Sequence, residues 1–167
     1  QQYFGDTDYR MHFEYVLPAF QDKRYITVDG RPIFVIFDPF NLPTDFIATW
    51  RKLATENGLP DIHFVGYTFN AMGRALFNTK GEQVTTGFFN PHEVQKYYDY
   101  LIQDRQFDAV VPIGTYRAEV LTKNRLWFAL QRKLSTALKI NLRNLYDYKR
   151  VMKHYYAPED AAENVYP

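Results

Sequence analysis

Cysteine is absent from the 167 residues. Disulfides, thiolate zinc sites and cysteine nucleophiles are thereby excluded, and the redox compartment stays open. No apolar run approaches the roughly 20 residues needed to cross a bilayer. The opening, QQYFGDTDYR, has neither the basic nor the apolar region of a secretory leader. It also lacks an initiator methionine, so the expectation is a chain processed or cut from a longer protein. Neither GxGxxG nor the P-loop pattern occurs, which argues against Rossmann and P-loop nucleotide binding. GxSxG and HExxH are missing too. The four histidines (His12, His63, His92, His154) are scattered without metal-ligand spacing and read as surface or cap residues. The expectation is a protein with no metal and no cofactor.

What is present points to a packed domain. Hydrophobic residues make up 46% and charged residues 23%, enough for a sizeable core and against wholesale disorder. Aromatics reach 18%, with 14 Tyr and 14 Phe. Such side chains fill cores, and they also line surfaces where flat or amphipathic ligands stack. The net charge of +1 is unevenly spread. Ten Lys/Arg lie between Arg117 and Lys153 against Glu119 and Asp147, a local net of +8, before the chain turns acidic at Glu159, Asp160 and Glu163. A solvated helical face is the plain reading of that block. An anionic partner or surface is the sharper one.

The hydrophobic pattern alternates between the two regular structures. Tyr9, Phe13, Val16, Leu17 and Phe20 recur at helical spacing, with Asp6, Thr7 and Asp8 as cap candidates. Asp29-Gly30 is a turn dipeptide leading into Ile33 to Phe37, an apolar run expected to be a strand buried on both faces. Phe46, Ile47, Trp50, Leu53 and Ala54 form a second helical stripe, opened by Thr44 and stopped by Gly58. Ile62 to Val65 is the next apolar strand. Residues 70–89 read as a long inserted loop with one helical turn. Asn90, Pro91 and Glu93 give a capping-box start to a third helix, whose stripe is Val94, Tyr97, Tyr98, Leu101 and Ile102. Ala109 to Val111 is a third strand, followed by helices around Val120 to Leu138 and Leu142 to Tyr156. Strands alternating with helices imply an α/β fold with parallel strands and right-handed crossovers.

Ligand sites in parallel α/β folds lie beyond the carboxyl ends of the strands. Asp38, Tyr67 and Gly114 fall there. Asp38 is the best single carboxylate, although Asp before Pro also favours a plain turn. Tyr67 and Asn70 follow the second strand, Tyr116 and Arg117 follow the third, and Tyr3 joins them in an aromatic and polar rim. Sugars suit such a rim, since their C–H faces pack on rings and their hydroxyls need directed hydrogen bonds. Glycosidic chemistry needs two carboxylates about 5 to 9.5 Å apart, and the pair is not visible in this chain.

The stretches QQYFGDTDYRMHFEYVLPAFQDKRYITVDGRPIFVIFDP, FIATWRKLATENGLPDIHFVGY and FDAVV closely resemble the WbsX-type family. The likeness covers most of residues 1–110 and weakens beyond. That family is named for glycosyltransferases of lipopolysaccharide O-antigen synthesis in bacteria and is similar to the endo-α-mannosidase glycoside hydrolases. The resemblance implies a (β/α)8 barrel of the TIM type, of which residues 1–167 would be one α/β domain forming the central part, with 70–89 as the insertion. It implies a carbohydrate substrate and a cytoplasmic location at the inner face of the membrane. It places the catalytic carboxylates upstream, with only Gln1, Tyr3 and Asp38 at family positions near the site. A half barrel would also expose strand edges open to self-association. Two other readings stand beside a glycan-active enzyme: a non-catalytic carbohydrate-binding or scaffold domain, and an anion-binding module using the basic helices of 117–153. Nucleic acid is not an expected partner, because no recognisable motif interleaves aromatics with the Lys/Arg.

Overall fold

Asp29 and Gly30 both take positive φ, 50° and 76°, the geometry a two-residue hairpin turn requires. They join β1 (Thr27–Val28) to β2 (Arg31–Ile36), which pair antiparallel. The computed structural model describes residues 5–68, 74–88, 90, 93–112, 114–122, 125–139 and 147–166. The chain forms two compact units, one of Gln1–Pro112 with Ala162–Pro167 and one of Ile113–Ala161.

In the first unit, β2 pairs parallel with β3 (His63–Tyr67), and β3 with β4 (Ala109–Val111), in the order β1-β2-β3-β4. A parallel bridge from Val110 to Val165 adds one more chain segment beside β4, closed by Val110 N–H to Asn164 O and Tyr166 N–H to Val110 O, both 2.9 Å. The mixed α/β class and the parallel pairing therefore hold, with one antiparallel hairpin at the edge.

Helices cover one side of this sheet. Helix α1 (Asp6–Phe20) and helix α2 (Phe46–Glu56) meet it through Trp50, which is fully buried. Its ring lies 4.8 Å from Phe34 of β2, 5.5 Å from Phe13 of α1 and 4.7 Å from Phe46. Gly58, at φ 78°, stops α2 as its position suggests, with Leu59 N–H reaching Ala54 O at 3.0 Å. The start of α2 differs from expectation. Asp45 is its first flanking residue, and its carboxylate accepts from the Tyr9 hydroxyl at 3.0 Å rather than capping the helix. Helix α3 (Val94–Asp99) runs into a π turn, Tyr100–Asp104. It approaches β3 closely: a Cβ on Gly66 would lie 3.1 Å from Leu101 and 3.2 Å from Phe107.

Three expectations are corrected. The strand Ile33 to Phe37 is not buried on both faces: Val35 is 55% and Phe37 66% exposed. Phe34 and Ile36 turn toward the helices, and the alternate positions of a strand must then face the opposite side. His63 is no surface residue. It is 4% exposed and stacks on Tyr166, whose hydroxyl lies 3.0 Å from Nε2. The described part of the 70–89 loop holds no helical turn. Phe77 and Gln83 form an antiparallel bridge there, and the Asn78 side chain accepts from Lys80 and Glu82 N–H to close the turn.

The second unit holds α4 (Gly114–Thr122), α5 (Arg125–Leu138) and α6 (Tyr148–Met152), then a 3-10 turn, Pro158–Ala161. The span read as a helix around Val120 to Leu138 is helical where it is described, in the end of α4 and in α5. Asp147 caps α6 by accepting from Lys149 N–H at 3.0 Å.

Two predictions follow from this packing. Gly66→Ala must push Leu101 or Phe107 aside, so it should cost about 1–3 kcal/mol of stability in urea unfolding. The second concerns pH. Burial lowers the His63 pKa, with Asp108 partly offsetting it, and burial also lowers that of His12. The unfolded chain then takes up protons first as pH falls below about 6.5. Stability should be full above that value and decline as pH drops toward the lower folded-state values. The urea midpoint should fall less between pH 7.5 and pH 5 in His63→Gln than in the parent.

Candidate functional site

The two ends of the parallel strands carry different chemistry. At the amino ends, Asp108 precedes β4, Asp61 precedes β3, and Arg31 opens β2. Arg31 donates to Asp108 Oδ1 at 2.8 Å and Arg51 of α2 to Oδ2 at 2.8 Å, while Arg51 also pairs with Asp61. Asp108 further accepts from Phe64 N–H at 2.9 Å. Each charge is half-buried and answered by its neighbours. This end is a fastening between strands and α2.

The carboxyl ends are built otherwise. Phe37 leaves β2 and Tyr67 ends β3 on the same side of the sheet, since Val35 pairs with Val65 and the alternation carries on by two. Their rings stack at 5.4 Å with planes 16° apart. Phe37 remains largely open, whereas Tyr67 is half-buried. Thr68 lies just beyond, fully buried, and its hydroxyl donates to Val111 O at 2.6 Å, tying the ends of β3 and β4 together.

Asp38 follows Phe37. Its Oδ2 accepts from Asn41 Nδ2 at 2.7 Å, and Arg74 stands 3.7 Å away. Arg74 in turn donates to Asn41 Oδ1 at 2.9 Å and lies over the Phe40 ring at 5.9 Å. The other oxygen, Oδ1, is shielded from solvent with no hydrogen-bond partner among the described residues. A cleft of about 310 Å³ adjoins it, lined by Phe34, Val35, Ile36, Phe37, Asp38, Leu42 and Phe46. That volume lies at the lower end of small-molecule sites, which span about 300–1,000 Å³. Among the described residues no group of three or more His, Asp and Glu could hold a metal ion.

Of the residues singled out in the sequence, Asp38 and Tyr67 come together at this end of the sheet. Gln1, Tyr3 and Asn70 lie outside the described residues, as does the side chain of Tyr116. Arg117 is placed inside the second unit, 2% exposed, with its guanidinium on Asp160 and on the carbonyls of His154 at 3.3 Å and Tyr155 at 2.6 Å. Phe37 and Arg74 were not anticipated. Phe37 was taken for a buried strand end. The signal that exposes it is the even spacing from Val35, read together with a sheet whose first-unit helices lie on one side. Glu93, expected to complete a capping box, reaches Thr86 of the loop. Burial works to raise its pKa, but hydrogen bonds from Thr86 and Lys96 outweigh burial and lower it.

A mixed α/β sheet with an aromatic and polar rim beyond its parallel strands is the frame on which ligand-binding α/β enzymes are built. The chain belongs to the WbsX glycosyltransferase family: the model described as Glycosyltransferase WbsX matches residues 1–167, further than the likeness over residues 1–110. Membership places it among glycan-active enzymes, with carbohydrate as the substrate class. No curated protein and no solved structure gives a significant match. No helix among the described residues is long and apolar enough to cross a membrane.

The contrast between the two ends is measurable. Asp108→Ala strips two arginines of their shared acceptor and should cost about 2 kcal/mol in urea unfolding. Asp38→Asn should cost under about 1 kcal/mol, because its ion pair is long and open to water. Equal losses would mean that Asp38 is a structural residue.

Proposed function

We propose that the chain is the central part of a (β/α)8 barrel enzyme acting on cell-surface polysaccharide or lipopolysaccharide, and that its saccharide sits beyond β2 and β3. The observation that supports this reading is the stacked Phe37–Tyr67 pair at the strand ends, with Phe37 open on the side opposite α1, α2 and α3 and Asp38 beside it. A pyranose packs a C–H face on such a ring, and a partly exposed carboxylate accepts from sugar hydroxyls. Parallel pairing of β2, β3 and β4 and the further parallel bridge at Val165 suit a closed barrel, in which the side opposite α1, α2 and α3 becomes the interior. On the same reading, the edge of β2 opposite β3 meets a further strand beyond Ile33. Phe37 is the stacking platform, Tyr67 supports it from behind, and Asp38 fixes the orientation of the ring hydroxyls. The carboxylates that make or break the glycosidic bond come from other strands of the barrel.

Titration calorimetry with oligosaccharides of cell-surface polysaccharide tests this. Phe37→Ala and Tyr67→Ala should each weaken binding about tenfold, the worth of one aromatic stack, and Asp38→Asn should weaken it by a similar factor. Undiminished binding in all three would place the saccharide elsewhere. A chain that binds but does not turn over saccharide within its complete parent would favour the non-catalytic binding domain.

A further inference from the structure

The unit Ile113–Ala161 leaves apolar side chains in the open at a regular spacing. On α5, Leu130, Leu134 and Leu138 are 48%, 41% and 59% exposed. Residues four apart share one side of a helix, so the three make a stripe. On α6, Tyr148 is 73% and Met152 36% exposed, and Tyr156 just beyond is 59% exposed. Lys133 and Lys139 flank the first set, and Lys149, Arg150 and Lys153 the second; all five are exposed. With Arg117 buried on Asp160, the segment from Ala118 to Lys153 still holds nine Lys/Arg against Glu119 and Asp147, a net of +7. Nothing in the carbohydrate reading uses any of these groups.

We propose that this unit docks on an anionic lipid surface, with the leucine stripe of α5 entering the boundary between headgroups and acyl chains and the basic side chains meeting anionic headgroups. A polyanion such as nucleic acid would use the charges but has no need of exposed leucines. A neutral protein groove would use the leucines but has no need of the charge. Leucines along one side of a helix, with lysines at their margins, suit an interface that is apolar below and negative above. The attachment is peripheral, resting on surface side chains of α5 and α6 rather than on an apolar span.

Sedimentation of the full chain with phosphatidylcholine vesicles, with and without phosphatidylglycerol, tests the proposal. The protein should pellet with the anionic vesicles only, and less as salt rises. Lys133→Gln and Lys149→Gln should each weaken partitioning about fivefold, the effect of one charge near such a surface. Leu130→Gln with Leu134→Gln should abolish it while far-ultraviolet dichroism is unchanged; Leu138→Ala, a milder change, should weaken it measurably. The proposal is overturned if the chain ignores anionic vesicles, or if the leucine variants bind as well as the parent. It is equally overturned if polyphosphate competes fully and the leucine variants respond to it alike, which would mark a simple polyanion site. Oligosaccharide binding at Phe37 and Tyr67 is independent of these outcomes.

Discussion

Trp50 is the contact on which the first unit depends. It is fully buried, and its ring touches α1 through Phe13, its own helix through Phe46, and β2 through Phe34, with Phe64 of β3 at 6.5 Å. A large flat side chain in that place draws two helices and two strands to one side of the sheet. Removing it would open a cavity under all of them, a change that in other cores costs about 3–5 kcal/mol. The consequence for function is indirect but strict. Once Phe34, Ile36, Phe64 and Gly66 are committed to the helices, Val35, Phe37 and Tyr67 must face the other way.

The same sheet has two unlike ends. Its amino ends are joined by Arg31, Arg51, Asp61 and Asp108, a set in which each charge has an opposite neighbour. Its carboxyl ends carry a stacked aromatic pair, of which Phe37 is open, and a carboxylate with one oxygen unanswered among the described residues. Parallel α/β proteins divide their ends in this way because all the strands point in one direction, so that loops free to vary gather at one rim. The proposed saccharide site rests on that rim: carbohydrate has both apolar faces and hydroxyl groups, and an open ring and a carboxylate can meet them.

The second unit contributes differently. Its interior is fastened by Arg117 on Asp160, a buried pair whose remaining donors are satisfied by two carbonyls. A Cβ on Gly114 would lie 2.7 Å from Tyr155 O, so the start of α4 accepts only glycine beside that chain segment. With the helices fastened from within, apolar residues on α5 and α6 are left outside. In most domains such residues would be turned inward, and their exposure beside lysines is what gives this unit a surface role.

Much of the frame was legible in the residues themselves. Asp29-Gly30 dictates a tight hairpin because few other pairs tolerate positive φ twice in succession. The stripe from Phe46 to Ala54 dictates an amphipathic helix, and Gly58 its end, because those are local matters of spacing and backbone freedom. Short apolar runs dictated strands, and their alternation with helices the parallel sheet. What tertiary structure alone decided was exposure. An apolar run such as Ile33 to Phe37 looks the same whether one face or both are covered; the placement of the helices leaves Phe37 a surface ring, and the return of the chain at Tyr166 makes His63 a buried one. Arg117 shows the same limit: its charge is visible in the sequence, but its burial on Asp160 depends on a partner 43 residues away. Local conformation follows from neighbours in the chain, whereas burial and partnership follow from segments far apart that meet only when the chain has folded.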